Sequence, residues 1–142
     1  MRLIDLGKVE IVRATIILEA ANQELYGKLL VGSVIGERKK DSRWPDTWAG
    51  VCLQPKQLSC WNKFDPEIPL TLDQIEKFVM TYQEKAWWRE CQFAAWGIVN
   101  SYYGGLLGGA NHYHREDIKP DWTELPNAKC VGHVGAHLFW KL

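Results

Sequence analysis

The apolar residues between Lys8 and Gln23 recur at helical spacing, with Val12, Ile16, Glu19 and Gln23 along one stripe. The pattern therefore predicts a helix whose apolar face carries a carboxylate where another core residue is expected. A second helix is predicted from about Gly27 to Lys39 after a tight turn. Gly32, Ser33 and Gly36 give it a small-residue side suited to close packing, because a glycine inside a helix otherwise costs stability. Residues 43–69 are rich in Pro and Trp, with room for a short helix near Thr47 to Leu53 and an extended piece from Gln57 to Trp61. Thr71-Leu72-Asp73-Gln74 is a capping-box signature, and helical periodicity then runs to about Tyr103 with a break near Gln83. After GGLLGG the stretches NHYHREDIKPDW and KCVGHVGAHLFWKL read as short strands and loops. The whole is a mostly helical α+β fold, and with no repeat, linker or low-complexity tract, residues 1–142 are expected to form a single domain.

Charge removes one class of function. Seventeen basic residues balance seventeen acidic ones, and apart from Arg38-Lys39-Lys40 the basic residues are dispersed, so the footprint of a nucleic-acid binder is missing. No stretch is apolar for long enough to span a bilayer, and Asp5 and Glu10 interrupt what would be the core of a signal peptide, so no membrane insertion is expected. Four widely spaced cysteines, Cys52, Cys60, Cys91 and Cys130, are expected to be free thiols. Eight tryptophans supply large flat faces, as useful against sugar rings as in a core.

Four groups of residues could carry chemistry. Glu19 falls near a helix C-terminus on a partly apolar stripe, where desolvation and the helix dipole both favour the neutral carboxyl that protonates a glycosidic oxygen; a frayed, solvated helix end accounts for it equally well. His112-x-His114 with Cys130-x-x-His133-x-x-x-His137 offers zinc-type donors, although an extended conformation is expected to keep His112 and His114 from reaching one ion, and local hydrogen bonding suits the same residues. Cys60 with a distant histidine permits a nucleophile pair, without a local signature for it. Gln57, Ser59, Trp61, Asn111, His112 and Tyr113 interleave polar donors with flat rings, the mixture expected for a hydroxyl-rich polymer.

In order along the chain, these segments resemble the SleB-like cell wall hydrolase family. Its apolar helix ending in Gly-Glu-Ala-Arg-Gly-Glu, followed by a glycine and a helix closing in Asn-Arg, is matched by LEAANQELYG and KLLVGSVIGER, residues 18 to 38. Its Phe-Pro, Val-Val and Gln-Phe-Ser segments are matched by Trp44-Pro45, Val51-Cys52 and QLSCW from Gln57 to Trp61. Its Ala-Thr-His-Tyr-His, Pro-x-Trp and Gly-x-His-x-Phe-Tyr motifs are matched by ANHYH at 110 to 114, PDW at 120 to 122 and GAHLFW at 135 to 140. Ala21, Asn22, Gln23, Glu37 and Asn111 depart from that pattern.

The resemblance implies a lysozyme-like domain with a short β element beside an active-site groove, acting on peptidoglycan glycan strands without metal or cofactor, as a monomer. Glu19 takes the place of the catalytic acid, and Gln57, Ser59, Trp61, Asn111, His112 and Tyr113 contact the substrate. The implied reaction is lytic transglycosylation to a 1,6-anhydro product, with a hydrolytic muramidase, an inactive glycan-binding module and a zinc amidase as alternatives. The expected setting is a phage endolysin held in the host cytoplasm until lysis.

Overall fold

In the computed structural model the described residues are 3–54, 81 and 83–142. The first predicted helix is α1, Lys8–Ala20, which buries Ile11, Val12, Ile16 and Ala20 completely. It stops three residues short of the predicted Gln23. Polar groups that another turn would use have tertiary partners there: the Gln23 backbone oxygen accepts from Lys28 Nζ at 2.6 Å, and its side-chain oxygen accepts from the Ala136 N–H at 3.0 Å. The second helix, α2, spans Leu25–Lys40 and buries Val31, Val34, Ile35 and Arg38, spaced as a helical stripe.

The small residues of α2 lie at its crossing with α1 and the later helix. A Cβ added at Gly32 would stand 2.9 Å from Ile98 Cγ1 and 3.3 Å from Ile16 Cδ1, so the backbones approach as closely as they do because no side chain intervenes. A short helix α3, Trp48–Leu53, begins where the sequence places it; the Thr47 hydroxyl accepts from the Gly50 N–H at 3.0 Å as its N-cap. The long helical segment is described from Thr81: Gln83 to Lys85 form a turn, and α4 runs Ala86–Val99. The capping box at Thr71 and the extended piece from Gln57 to Trp61 lie outside the described residues. Helix α4 ends before the predicted Tyr103 because the Tyr102 and Tyr103 N–H groups both turn back to the Gly97 oxygen.

The GGLLGG stretch is a left-handed turn, with positive φ at Gly105, Leu107, Gly108 and Gly109. Its amides are held by the side of α2, Gly105 N–H donating to Glu37 Oε1 at 3.0 Å and Leu106 N–H to Ser33 Oγ at 3.2 Å. Three antiparallel strands follow, β1 (His112–Arg115), β2 (Lys129–Val134) and β3 (His137–Lys141), in the order β1-β3-β2. His137 and Phe139 of the central strand face the helices and are buried, while Leu138 and Trp140 face the other way. The core is shared by the apolar sides of α1 to α4 with Ala110 and Phe139, so the sheet is fastened to the helices by its central strand. Cys52, Cys91 and Cys130 are free thiols, and burial pushes the first two up to about 12. Among the described residues no helix is long and apolar enough to cross a membrane.

Candidate active site

Glu19 occupies the last turn of α1, half-buried, just beyond the fully buried Val12 and Ile16 on its stripe. Two groups from other elements feel its charge. His137 at the start of β3 is one, and Arg38 in the last turn of α2 is the other. The stripe containing Arg38 repeats the device of α1, a charge continuing a buried apolar row of Val31, Val34 and Ile35. In the sequence Arg38 heads a basic run, and its spacing from Val31 and Val34 is the signal that it points inward.

Arg38 is 4 % exposed, and its Nε donates to the Asn111 carbonyl at 2.8 Å while its Cζ lies 5.5 Å from the Trp44 ring centroid. Nη1 is buried without a hydrogen-bond partner among the described residues. Burial lowers its pKa, against the opposing effects of Tyr113 and Glu19. Arg38 thus joins the end of α2 to the start of β1.

Asn111 is buried and its amide is tied to the C-terminal residue and to His112. Nδ2 donates to the Leu142 oxygen at 2.9 Å, and Oδ1 accepts from the Leu142 N–H at 3.0 Å. That pairing fixes which end of the amide is oxygen, and the same Oδ1 lies 2.8 Å from His112 Nδ1, so Nδ1 carries the imidazole proton and Nε2 is left as an acceptor. Asn111 positions His112 through Oδ1.

The alternation of β1 divides the predicted ANHYH set between two faces of the sheet. Tyr113 pairs with Phe139 and packs on the helix side, its ring 5.4 Å from that of His137. His112 lies on the other face between Trp44, at 5.6 Å, and Trp122, at 4.9 Å. His112 and His114, two residues apart, share that face, contrary to the expectation that an extended strand would separate them, and both touch Trp122. Zinc donors are nonetheless not gathered. His114 accepts from Trp140 Nε1 at 3.0 Å and donates to the Arg115 oxygen, His133 pairs with Glu116, and Cys130 is exposed on β2. No group of three His, Cys, Asp or Glu among the described residues could hold a metal ion. The structure therefore brings together Glu19, His137, Tyr113 and Arg38, with His112 and its tryptophans on the opposite face of the sheet; Gln57, Ser59, Trp61 and Cys60 lie outside the described residues.

Both site histidines are held neutral. Burial, then the charges of Arg38 and Arg43, push His112 down to about 4, and burial also lowers His137 against the opposing pull of Glu19. Since the ordinary value is about 6.5, the unfolded chain binds a proton that the folded one refuses, and stability is full above that value and lost as pH falls toward the folded one. His112 is partly exposed, so solvent screening reduces its share to about 1–2 kcal/mol. Urea titrations at about pH 7 and about pH 4.5 should show His112→Gln losing less stability on acidification than the wild type; equal losses would show that His112 is not the group responsible.

Gln23 fastens the β2–β3 hairpin to the α1–α2 turn through its bond to Ala136 N–H. The adjoining Gly135 has φ +58°, and a Cβ there would run into Gln23 Oε1. Gly135→Ala combines left-handed strain with that clash and is expected to cost about 1–3 kcal/mol, read as a lowered urea midpoint at unchanged m-value. An unchanged midpoint would mean that the hairpin shifts freely.

The chain is thus a helical domain closed by a three-stranded sheet, with a half-buried glutamate at the end of its first helix. Two solved structures share the fold at TM-score 0.68 and 16% identity over 94% of this chain: the catalytic domain of the Bacillus cereus SleB protein, of which 89% is covered, and the catalytic domain of the germination-specific lytic transglycosylase SleB from Bacillus anthracis, of which 93% is covered. The cell wall hydrolase family model matches residues 22–140, and the chain belongs to that family. The match begins three residues after Glu19, so Glu19 rests on geometry and on the motif reading. No curated protein matches the sequence.

Proposed function

We propose that the protein cleaves the β-1,4 bond between N-acetylmuramic acid and N-acetylglucosamine in peptidoglycan as a lytic transglycosylase, with Glu19 as its acid and base. The observation that carries this reading is the placement of Glu19, a half-buried carboxyl at the meeting of α1 with the sheet, within the field of His137 and Arg38. The Glu19 carboxyl gives its proton to the bridging oxygen as the anomeric carbon–oxygen bond breaks. The resulting carboxylate then takes the proton of the muramic 6-hydroxyl as that oxygen closes on the anomeric carbon. Because the substrate supplies the nucleophile, the reaction asks for no second carboxylate. His112 and His137, both neutral, leave proton transfer to Glu19, and His112 Nε2 is an acceptor for a sugar hydroxyl or amide.

Mass spectrometry of muropeptides released from purified walls tests the proposal. Anhydro-muramic ends, one water lighter than reducing ends, are expected. Reducing muramic ends would assign hydrolysis, and walls left intact by folded protein would assign a glycan-binding module. A phage endolysin acting from the host cytoplasm is part of the same proposal. Expressing cells should then lyse only once their inner membrane is permeabilised.

A further inference from the structure

Away from Glu19, the protein has a second surface suited to the same polymer. A hollow of about 560 Å³ is rimmed by Lys8, Lys39 and Lys40 and walled by Trp48, Tyr102 and Tyr103. A smaller one of about 280 Å³ adjoins it, sharing Lys8, Lys39 and Trp48. The main hollow is within the size range of ligand sites. Its charge is one-sided: among the described residues Glu37 is the one carboxylate in its lining, against three lysines.

The hollow opens onto an aromatic patch on the outer side of α4. Tyr102 is 70% exposed and stacks on Trp96, itself 46% exposed, at 5.0 Å and 22° between planes. Phe93, 46% exposed, packs on Tyr103 beside them. Two pairs of exposed rings, Trp96 with Tyr102 and Phe93 with Tyr103, leave large apolar faces open to solvent, as a binding surface does. Flat rings of this kind suit the apolar faces of sugars.

This surface is separate from the candidate active site. Gly36 and Lys40 line the hollow, and each is two residues from Arg38, which turns them about 200° around α2 from the side that faces the sheet. Lys8 lies eleven residues before Glu19 on α1, roughly 16 Å along the axis.

We propose that this face holds a second stretch of peptidoglycan, with amino-sugar rings lying on Tyr102 and Trp96 and stem-peptide carboxylates on Lys8, Lys39 and Lys40. The inference rests on the functional reading above for the identity of the polymer. It gives the catalytic domain its own grip on the wall, independent of the bond being cut.

The test is co-sedimentation of the protein with purified sacculi stripped of teichoic acid, at low and high salt. The Glu19→Gln protein serves as the parent, with Tyr102→Ala or Lys8→Glu/Lys39→Glu added, and each variant is checked by circular dichroism and melting. Each addition should weaken binding about five- to tenfold, and the lysine effect should shrink at high salt as screening removes the charge term. Turnover of a short soluble muropeptide by the same surface variants with Glu19 intact should be unchanged. Unaltered sedimentation overturns the proposal, and so does a lysine effect seen only on walls that retain teichoic acid, which would identify a phosphodiester ligand. Sedimentation velocity showing a dimer that Tyr102→Ala dissolves, with sacculus binding intact, overturns it in favour of self-association. Should Glu19→Gln still dissolve the sacculi, the functional reading fails, and that outcome is visible as clearing and not as a change in binding. The lysine pair, Lys8 exposed and Lys39 half-buried, keeps the test valid if Tyr102→Ala folds poorly.

Discussion

Glu19→Gln is expected to reduce lysis of purified cell walls to background, a loss of at least about 10²–10⁴-fold, because an amide cannot give a proton to the glycosidic oxygen. The change keeps the size and shape of the side chain at a half-buried position at the end of α1, so the melting temperature should stay close to that of the wild type. Turbidity loss and a thermal melt on the same preparation read the two quantities together. Retained lysis by the folded variant would remove Glu19 from the reaction and with it the mechanism proposed above.

Arg38→Ala should act first on stability. Removing the side chain leaves the buried Asn111 carbonyl without its donor at 2.8 Å and opens a cavity beneath Trp44. A lost donor and a cavity together are expected to cost about 2–4 kcal/mol. Wall lysis should fall as well, even well below the new melting temperature, because Asn111 and His112 then lose the anchor that holds the start of β1 against α2. Arg38→Lys restores the charge without the planar fork and should recover part of the stability. Urea unfolding of both variants decides the matter: an Arg38→Ala protein as stable as the wild type would show that the guanidinium does not hold the sheet to the helix.

The two positions differ in how readily they can be seen in the chain. Glu19 interrupts an apolar row within one helix, and a helical repeat is a local property, so its inward placement was legible. Arg38 obeys the same repeat on α2, yet its place in an Arg-Lys-Lys run disguised it as surface charge. The small residues of α2 were likewise legible as a packing side, and residues near Thr47 to Leu53 as a short helix, because each acts within a few residues of itself.

The ANHYH motif was legible as a motif but not as a geometry. Its residues were read as one substrate-contacting group, whereas the strand alternation sends Tyr113 toward Phe139 and His112 toward Trp44 and Trp122. Asn111, read as a substrate contact, spends its amide on Leu142, thirty-one residues away, and Gln23 spends its own on Ala136, 113 residues away. Nothing near either residue signals such partners.

By itself, the sequence determined the described helices, the short strands near the end, the family motifs and the place of Glu19 on the stripe of α1. The elements follow from periodicity over a turn or two of chain, and the motifs from resemblance to a family. Only the tertiary structure decided that Arg38 ties α2 to β1, that two neutral histidines lie on opposite faces of one sheet, and that lysines from α1 and α2 meet tyrosines that follow α4 around one hollow. Those are matters of which distant segments pack together, and the chain pattern states what each segment buries without stating against what.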